Sequence, residues 1–131
     1  MLPRPLADEM VAQCLRGLPL EACGLLGGDV ALDEVTAIYP AKNIADSAMV
    51  YTLDPKAHLR ADRDAEQRGG SLLGVFHSHT HTEAYPSPTD VAQAPDPTWH
   101  YVIVSLRDVS ASIRSFRIVD QMVSEEPVEL R

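Results

Sequence analysis

The sequence predicts an α/β fold, a single layered domain with one mixed β-sheet flanked by helices, and three observations predict it. Apolar, β-branched runs of strand length recur along the chain, as in "ACGLLGG", "SLLGVFHSH", "WHYVIVSL" and "ASIRSFRIV". Segments with helical spacing and helical start and stop signals interrupt them, and helices interspersed among strands favour a layered domain over a sandwich or a bundle. With 131 residues, of which 45% are hydrophobic, the chain can build one core and has no room for a second, so residues 1–131 read as one domain.

In chain order, Leu6, Met10, Val11, Cys14 and Leu15 recur at helical spacing, and Gly17 with Pro19 ends that first helix. "ACGLLGG" is a short buried strand closed by paired glycines, "ALDEVTAIYPA" a partly alternating strand, and "AMVYTL" a third. From Pro55 to Gly69 a proline start, alanine-rich polar surface and a glycine stop describe a mostly exposed helix. "SLLGVFHSH" is the next strand, and "PTDVAQA" a short helix begun by Pro88. "WHYVIVSL" and "ASIRSFRIV" are strands rich in branched residues. The expected order is α β β β α β α β β, with roughly the last ten residues reading as a tail.

Composition narrows the partners. Against 19 Asp and Glu there are 11 Lys and Arg, a net charge of -8 with no basic stripe, which argues against nucleic acid. No apolar run approaches the roughly 20 residues that span a bilayer. The start, "MLPRPLADEM", lacks a basic region followed by an apolar one, so a cytoplasmic location is expected. Cys14 and Cys23 have no CxxC spacing and are expected to be reduced and buried. His58 and His100 have no partner ligand nearby in sequence and read as ordinary surface or core histidines.

The chemistry concentrates in "VFHSHTHTEAYPSPTD". At a strand end, residues two apart point to the same side with Cα atoms ~6.5 Å apart, so His77 and His79 can converge on one ion. On a helix they would diverge by roughly 200°. A catalytic zinc commonly takes three protein ligands and leaves one position to water. Asp90 is the candidate third ligand, because Pro86 and Pro88 stiffen the return of the loop. The same "SPTD" also reads as a helix start, with Ser87 as N-cap, Pro88 at the first helical position and Asp90 reaching back in a capping box. His81 continues the alternation into a loop and reads as a rim or substrate-contacting residue. A structural metal site would need a fourth protein ligand, for which Cys23 or His81 is available.

Taken together, "HSHTHTEAYPSPTD" spells HxH, seven residues, Ser, two residues and Asp, and "LEACGLLGG" upstream supplies a glutamate. The chain thereby resembles the JAMM (MPN+) metalloprotease family, and "YPAKNIA" followed by "YTLDP" resembles the middle segment of that family. The resemblance implies a cytidine-deaminase-like α/β fold that holds Zn2+. It also implies hydrolysis of peptide or isopeptide bonds at the end of small ubiquitin-like or sulfur-carrier proteins with a Gly-Gly C-terminus. His77, His79 and Asp90 correspond to the zinc ligands, Glu21 to the general acid/base, and Ser87 to the hydroxyl that stabilises the tetrahedral intermediate. "EACGLL" and "HTEAYPSPTD" are most similar to an actinobacterial subgroup that releases newly made cysteine from a sulfur carrier. Many members have Pro directly after HxH where this chain has Thr80, which implies a looser loop.

Two other classes fit the residues less well. A non-catalytic MPN scaffold would have lost ligands, whereas Glu21, His77, His79, Ser87 and Asp90 are all present. A nucleoside or base deaminase needs HxE with PCxxC, which neither Cys14 nor Cys23 provides. Whether the chain acts alone or as a homodimer is left open by the sequence.

Overall fold

In the computed structural model, which describes residues 1–131, the chain begins with α1 (Arg4–Gly17), β1 (Cys23–Asp29), β2 (Glu34–Ala41) and α2 (Pro55–Gln67). It continues through β3 (Ser71–His79), α3 (Pro88–Ala92), β4 (His100–Ser105), β5 (Ser112–Val119) and β6 (Met122–Glu126). The strands form one six-stranded sheet in the order β2-β1-β3-β4-β5-β6. Every neighbouring pair is antiparallel except β3 and β4. Parallel neighbours need a crossover, and the segment containing α3 provides it. The mixed sheet flanked by helices that the sequence predicts is the observed architecture.

Both faces of the sheet are covered, which is why its central strands read as unbroken apolar runs. Period-two alternation sends Leu26, Phe76, Val102 and Val104 to one face, where Ala7, Met10 and Cys14 of α1 pack on them. Leu25, Val75, Tyr101 and Ile103 go to the other, with Phe116, Trp99 and Ala61 of α2. α2 starts at Asp54, whose side chain accepts from the Lys56 N–H at 3.0 Å, and Pro55 follows at its first turn. The buried stripe of α1 is narrower than its apolar spacing suggested, for Leu15 stays exposed. Cys14 and Cys23 are buried and free. No helix is long and apolar enough to cross a membrane.

Two segments depart from the sequence expectation. "AMVYTL", read as a strand, is a loop whose only ladder contact is an isolated bridge between Asn43 and Leu53. The Asn43 side chain replaces a strand partner: its amide donates to the carbonyls of Glu21, Ser47 and Val50, and its oxygen accepts from the N–H groups of Ala45 and Thr52. The final residues, read as a tail, instead contain β6. It pairs with β5 across a turn in which Asp120 and Gln121 both have positive φ, 50° and 64°. No glycine marks that turn, and β6 is a half-exposed edge strand with little apolar content, so its signal is weak. Beyond it, Leu2 bridges Leu130, with the Leu2 N–H donating to the Glu129 carbonyl at 2.8 Å.

His100 is less ordinary than its sequence context suggested. Its Nε2 lies 2.6 Å from Asp33 Oδ1, its Nδ1 bonds Glu126, and Arg117 pairs with the same glutamate. His58 is tilted against the Trp99 ring.

On β3, Gly74 pairs with His100 of β4, and a Cβ at Gly74 would sit 2.1 Å from the His100 carbonyl oxygen. Backbone cannot yield there without parting the parallel pair, so Gly74→Ala is expected to cost ~2–3 kcal/mol. Urea unfolding measures this, and an unchanged midpoint would contradict the packing described.

Candidate metal centre

The cluster begins with strand geometry. Along β3, Phe76 and Ser78 point to the α1 side, where Ser78 Oγ accepts from the Ala22 N–H at 2.8 Å. His77 and His79 therefore share the opposite face, 2% and 4% exposed, with their Nε2 atoms 3.2 Å apart. The crossover out of β3 then returns as α3, which brings in the third side chain. Ser87 Oγ accepts from the Asp90 N–H at 3.0 Å, and Asp90 Oδ2 accepts from the Ser87 N–H at 2.9 Å, a complete capping box. The same Oδ2 stands 3.1 Å from His77 Nε2 and 3.0 Å from His79 Nε2. The helix-start reading of "SPTD" is the observed one, and the carboxylate oxygen that completes the capping box is the same one that faces both imidazoles.

Three donor atoms form a near-equilateral triangle with edges of 3.0 to 3.2 Å. A tetrahedral ion with bonds of about 2.0 Å holds neighbouring ligand atoms about 3.3 Å apart. His77, His79 and Asp90 therefore have the size and donor chemistry of one face of a divalent metal site. Neither candidate fourth ligand joins them: the Cys23 thiol faces the Ala41 carbonyl at 3.7 Å, and His81 is exposed on the loop.

The protonation pattern suits a cation. His79 Nδ1 lies 2.8 Å from the Glu83 carbonyl, which only accepts, so Nδ1 carries a proton and Nε2 is the nitrogen available for a cation in the neutral ring. Burial lowers the pKa of His77, with Asp90 opposing. Burial pushes His79 the same way, but hydrogen bonds to Asp90 and the Glu83 carbonyl overcome it and leave the pKa raised. For Asp90, burial alone would raise the pKa; His77, His79 and the Ser87 N–H reverse that and hold the carboxylate well below its usual range.

Glu21 lies just before β1 and is 4% exposed. Its N–H donates to the Ser47 carbonyl at 2.8 Å and its carbonyl accepts from Asn43. Because Cys23 pairs with His77 in the antiparallel register, two further steps bring Glu21 alongside His79. Its Oε1 is buried without a hydrogen-bond partner. Burial raises its pKa to about 7, with His79 opposing and Asp90 adding to the rise.

Sequence spacing missed two residues of this site. Asn43 holds the backbone of Glu21, and Tyr51 stacks on His77 with ring centroids 4.3 Å apart and planes 23° from parallel. The segments "YPAKNIA" and "YTLDP" that contain them carry a family resemblance but no spacing signal. Thr80 also differs from expectation. It is buried, and its hydroxyl donates to the Ala48 carbonyl at 3.2 Å, so it fastens the Asn43 loop to the end of β3 where a looser loop was expected.

Residues 3–119 match the family of prokaryotic homologs of the JAB domain. The CysO-cysteine peptidase of Mycobacterium tuberculosis is 44% identical over 126 residues, covering 95% of this chain and 86% of that protein. A probable TtuB-protein conjugate cleaving protease of Thermus thermophilus is 39% identical over 94 residues, covering 71% of this chain and 62% of that one. The solution structure of protein DSY2949 from Desulfitobacterium hafniense superposes with a TM-score of 0.90 at 38% identity, over 100% of this chain and 93% of that one.

Burying Glu21 has a thermodynamic consequence in the metal-free protein. Its folded-state pKa is raised from 4.5 to about 7, so its contribution to stability is present below 4.5 and is lost as pH rises through 7. By about pH 8 that loss is on the order of 3 kcal/mol. An amide escapes it. Metal-free Glu21→Gln is expected to be more stable than its parent by a margin that widens by about 3 kcal/mol between about pH 4.5 and about pH 8. Denaturant unfolding at the two pH values measures the margin, and a pH-independent one would contradict the burial described.

Proposed function

The chain belongs to the family of prokaryotic JAB-domain homologs, and from that membership we propose that it is a zinc metallopeptidase acting on the C-terminus of a small ubiquitin-like or sulfur-carrier protein. One observation carries the proposal: three donor atoms at tetrahedral-face spacing, with a buried, unpartnered carboxylate oxygen of Glu21 alongside them. A purely structural cluster has no use for such a carboxylate. In this reading His77, His79 and Asp90 hold the zinc, and the carrier ends in Gly-Gly. The relatives' names support the substrate class, one being a CysO-cysteine peptidase and another a probable TtuB-protein conjugate cleaving protease. Release of cysteine from a carrier-cysteine adduct is the specific activity we favour, because that relative covers nearly the whole chain. A cytoplasmic location belongs to the same proposal.

Zinc, when bound, supplies a water acidified to about pKa 7 and a Lewis acid for the scissile carbonyl. Glu21 takes the proton from the attacking water at its carboxylate oxygen and returns it to the leaving nitrogen. In the metal-free protein burial raises this carboxyl toward the range in which one group both takes up and returns a proton. The Ser87 oxygen already accepts from the Asp90 N–H, which leaves its own O–H free to donate to the developing oxyanion, a contact worth about 3 kcal/mol.

Zinc-loaded protein is expected to convert a carrier-cysteine adduct into free cysteine and a carrier ending in glycine, identified by mass spectrometry. Glu21→Gln should keep its zinc and lose turnover by about 100-fold or more. Asp90→Ala should lose zinc on dialysis, followed by metal analysis. Chelation should remove activity while a cooperative thermal transition remains. An active Glu21→Gln enzyme, or unfolding on chelation, would overturn the assignment.

A further inference from the structure

The two imidazoles of the cluster are supported in different ways. His79 gives its remote ring nitrogen to the Glu83 carbonyl. His77 has no such anchor, for its Nδ1 is buried and has no hydrogen-bond partner. A metal-ligating histidine ordinarily donates that remote N–H to an acceptor, and this bond fixes the ring orientation. What His77 has instead is the face of Tyr51, stacked at 4.3 Å and 23°. Asn43 sets Tyr51 in place from both sides, its amide donating to the Val50 carbonyl at 3.0 Å and its oxygen accepting from the Thr52 N–H at 2.9 Å.

We infer that Tyr51 is a positioning residue, whose ring face does for His77 what the Glu83 carbonyl does for His79. Rotation of the His77 ring about its Cβ–Cγ bond would carry Nε2 away from His79 and Asp90. A flat ring pressed on the imidazole opposes that rotation along its whole plane. The effect belongs to the face and not to the phenol, so phenylalanine retains it and an aliphatic side chain of similar bulk does not. The inference rests on the proposal that His77, His79 and Asp90 hold zinc.

The test titrates zinc against a chromophoric chelator in the parent, Tyr51→Phe and Tyr51→Leu proteins, and records the visible spectrum of each with cobalt in place of zinc. Tyr51→Phe is expected to bind zinc as the parent does, with the same cobalt bands. Tyr51→Leu is expected to raise the zinc dissociation constant about 10- to 100-fold and to alter those bands, while its metal-free form still unfolds cooperatively. Should the leucine protein fail to fold, Tyr51→Met carries the comparison. Unchanged zinc affinity and spectrum in the aliphatic variant would overturn the inference, as would a phenylalanine variant as weak as the leucine one. A parent protein that binds no zinc would overturn the underlying proposal as well, and that outcome is read separately, in the parent titration.

Discussion

A single oxygen atom, Oδ2 of Asp90, meets the first N–H of the α3 capping box and the Nε2 atoms of both His77 and His79. Through it the start of α3 is joined to the end of β3, and the loop between them is closed. The arrangement is electrostatically one-sided. His79 keeps a proton on Nδ1, and two imidazole Nε2 atoms and a carboxylate oxygen from two elements converge within 3.2 Å of one another. Without a metal, protons on the imidazoles can bridge them to the carboxylate, but a proton serves only one pair at a time. The three donor atoms have the spacing at which one divalent cation could meet all of them, and the capping box and the strand end set that spacing together.

Topology explains why the device sits where it does. The only parallel pair, β3 and β4, requires a crossover, and in open α/β sheets the carboxyl ends of such strands are where ligands bind. Opposite β4, β1 runs antiparallel to β3 and brings Glu21 beside the same end. Ser78 locks that junction from the other face: its Oγ accepts from Ala22, and its N–H donates to the Ala22 carbonyl at 3.0 Å. The fold thus supplies a rigid floor for the two histidines, while Asn43 and Thr80 tie down the loop that forms one wall.

What could be read from the sequence was what local periodicity encodes. The bounds of β3 follow from its apolar run, the shared side of His77 and His79 from strand geometry, and the place of Ser87 and Asp90 from helix-start chemistry, all within a few residues. Glu21 was different. Nothing in its spacing links it to residues more than fifty positions away, and only the family resemblance singled it out. The apolar, β-branched composition of "AMVYTL" imitates a strand, but the decisive partner is the Asn43 side chain, and one amide satisfying five backbone groups leaves no periodic trace. β6 escaped notice for the opposite reason, being a real strand on an edge where little needs to be apolar.

The most direct measurement is zinc-edge X-ray absorption on the metal-loaded protein. The expected result is one four-coordinate ion with two imidazole nitrogens and two oxygens at about 2.0 Å, one oxygen from Asp90 and the other from solvent. A sulfur neighbour at about 2.3 Å, a third imidazole, or no zinc retained after dialysis would contradict it.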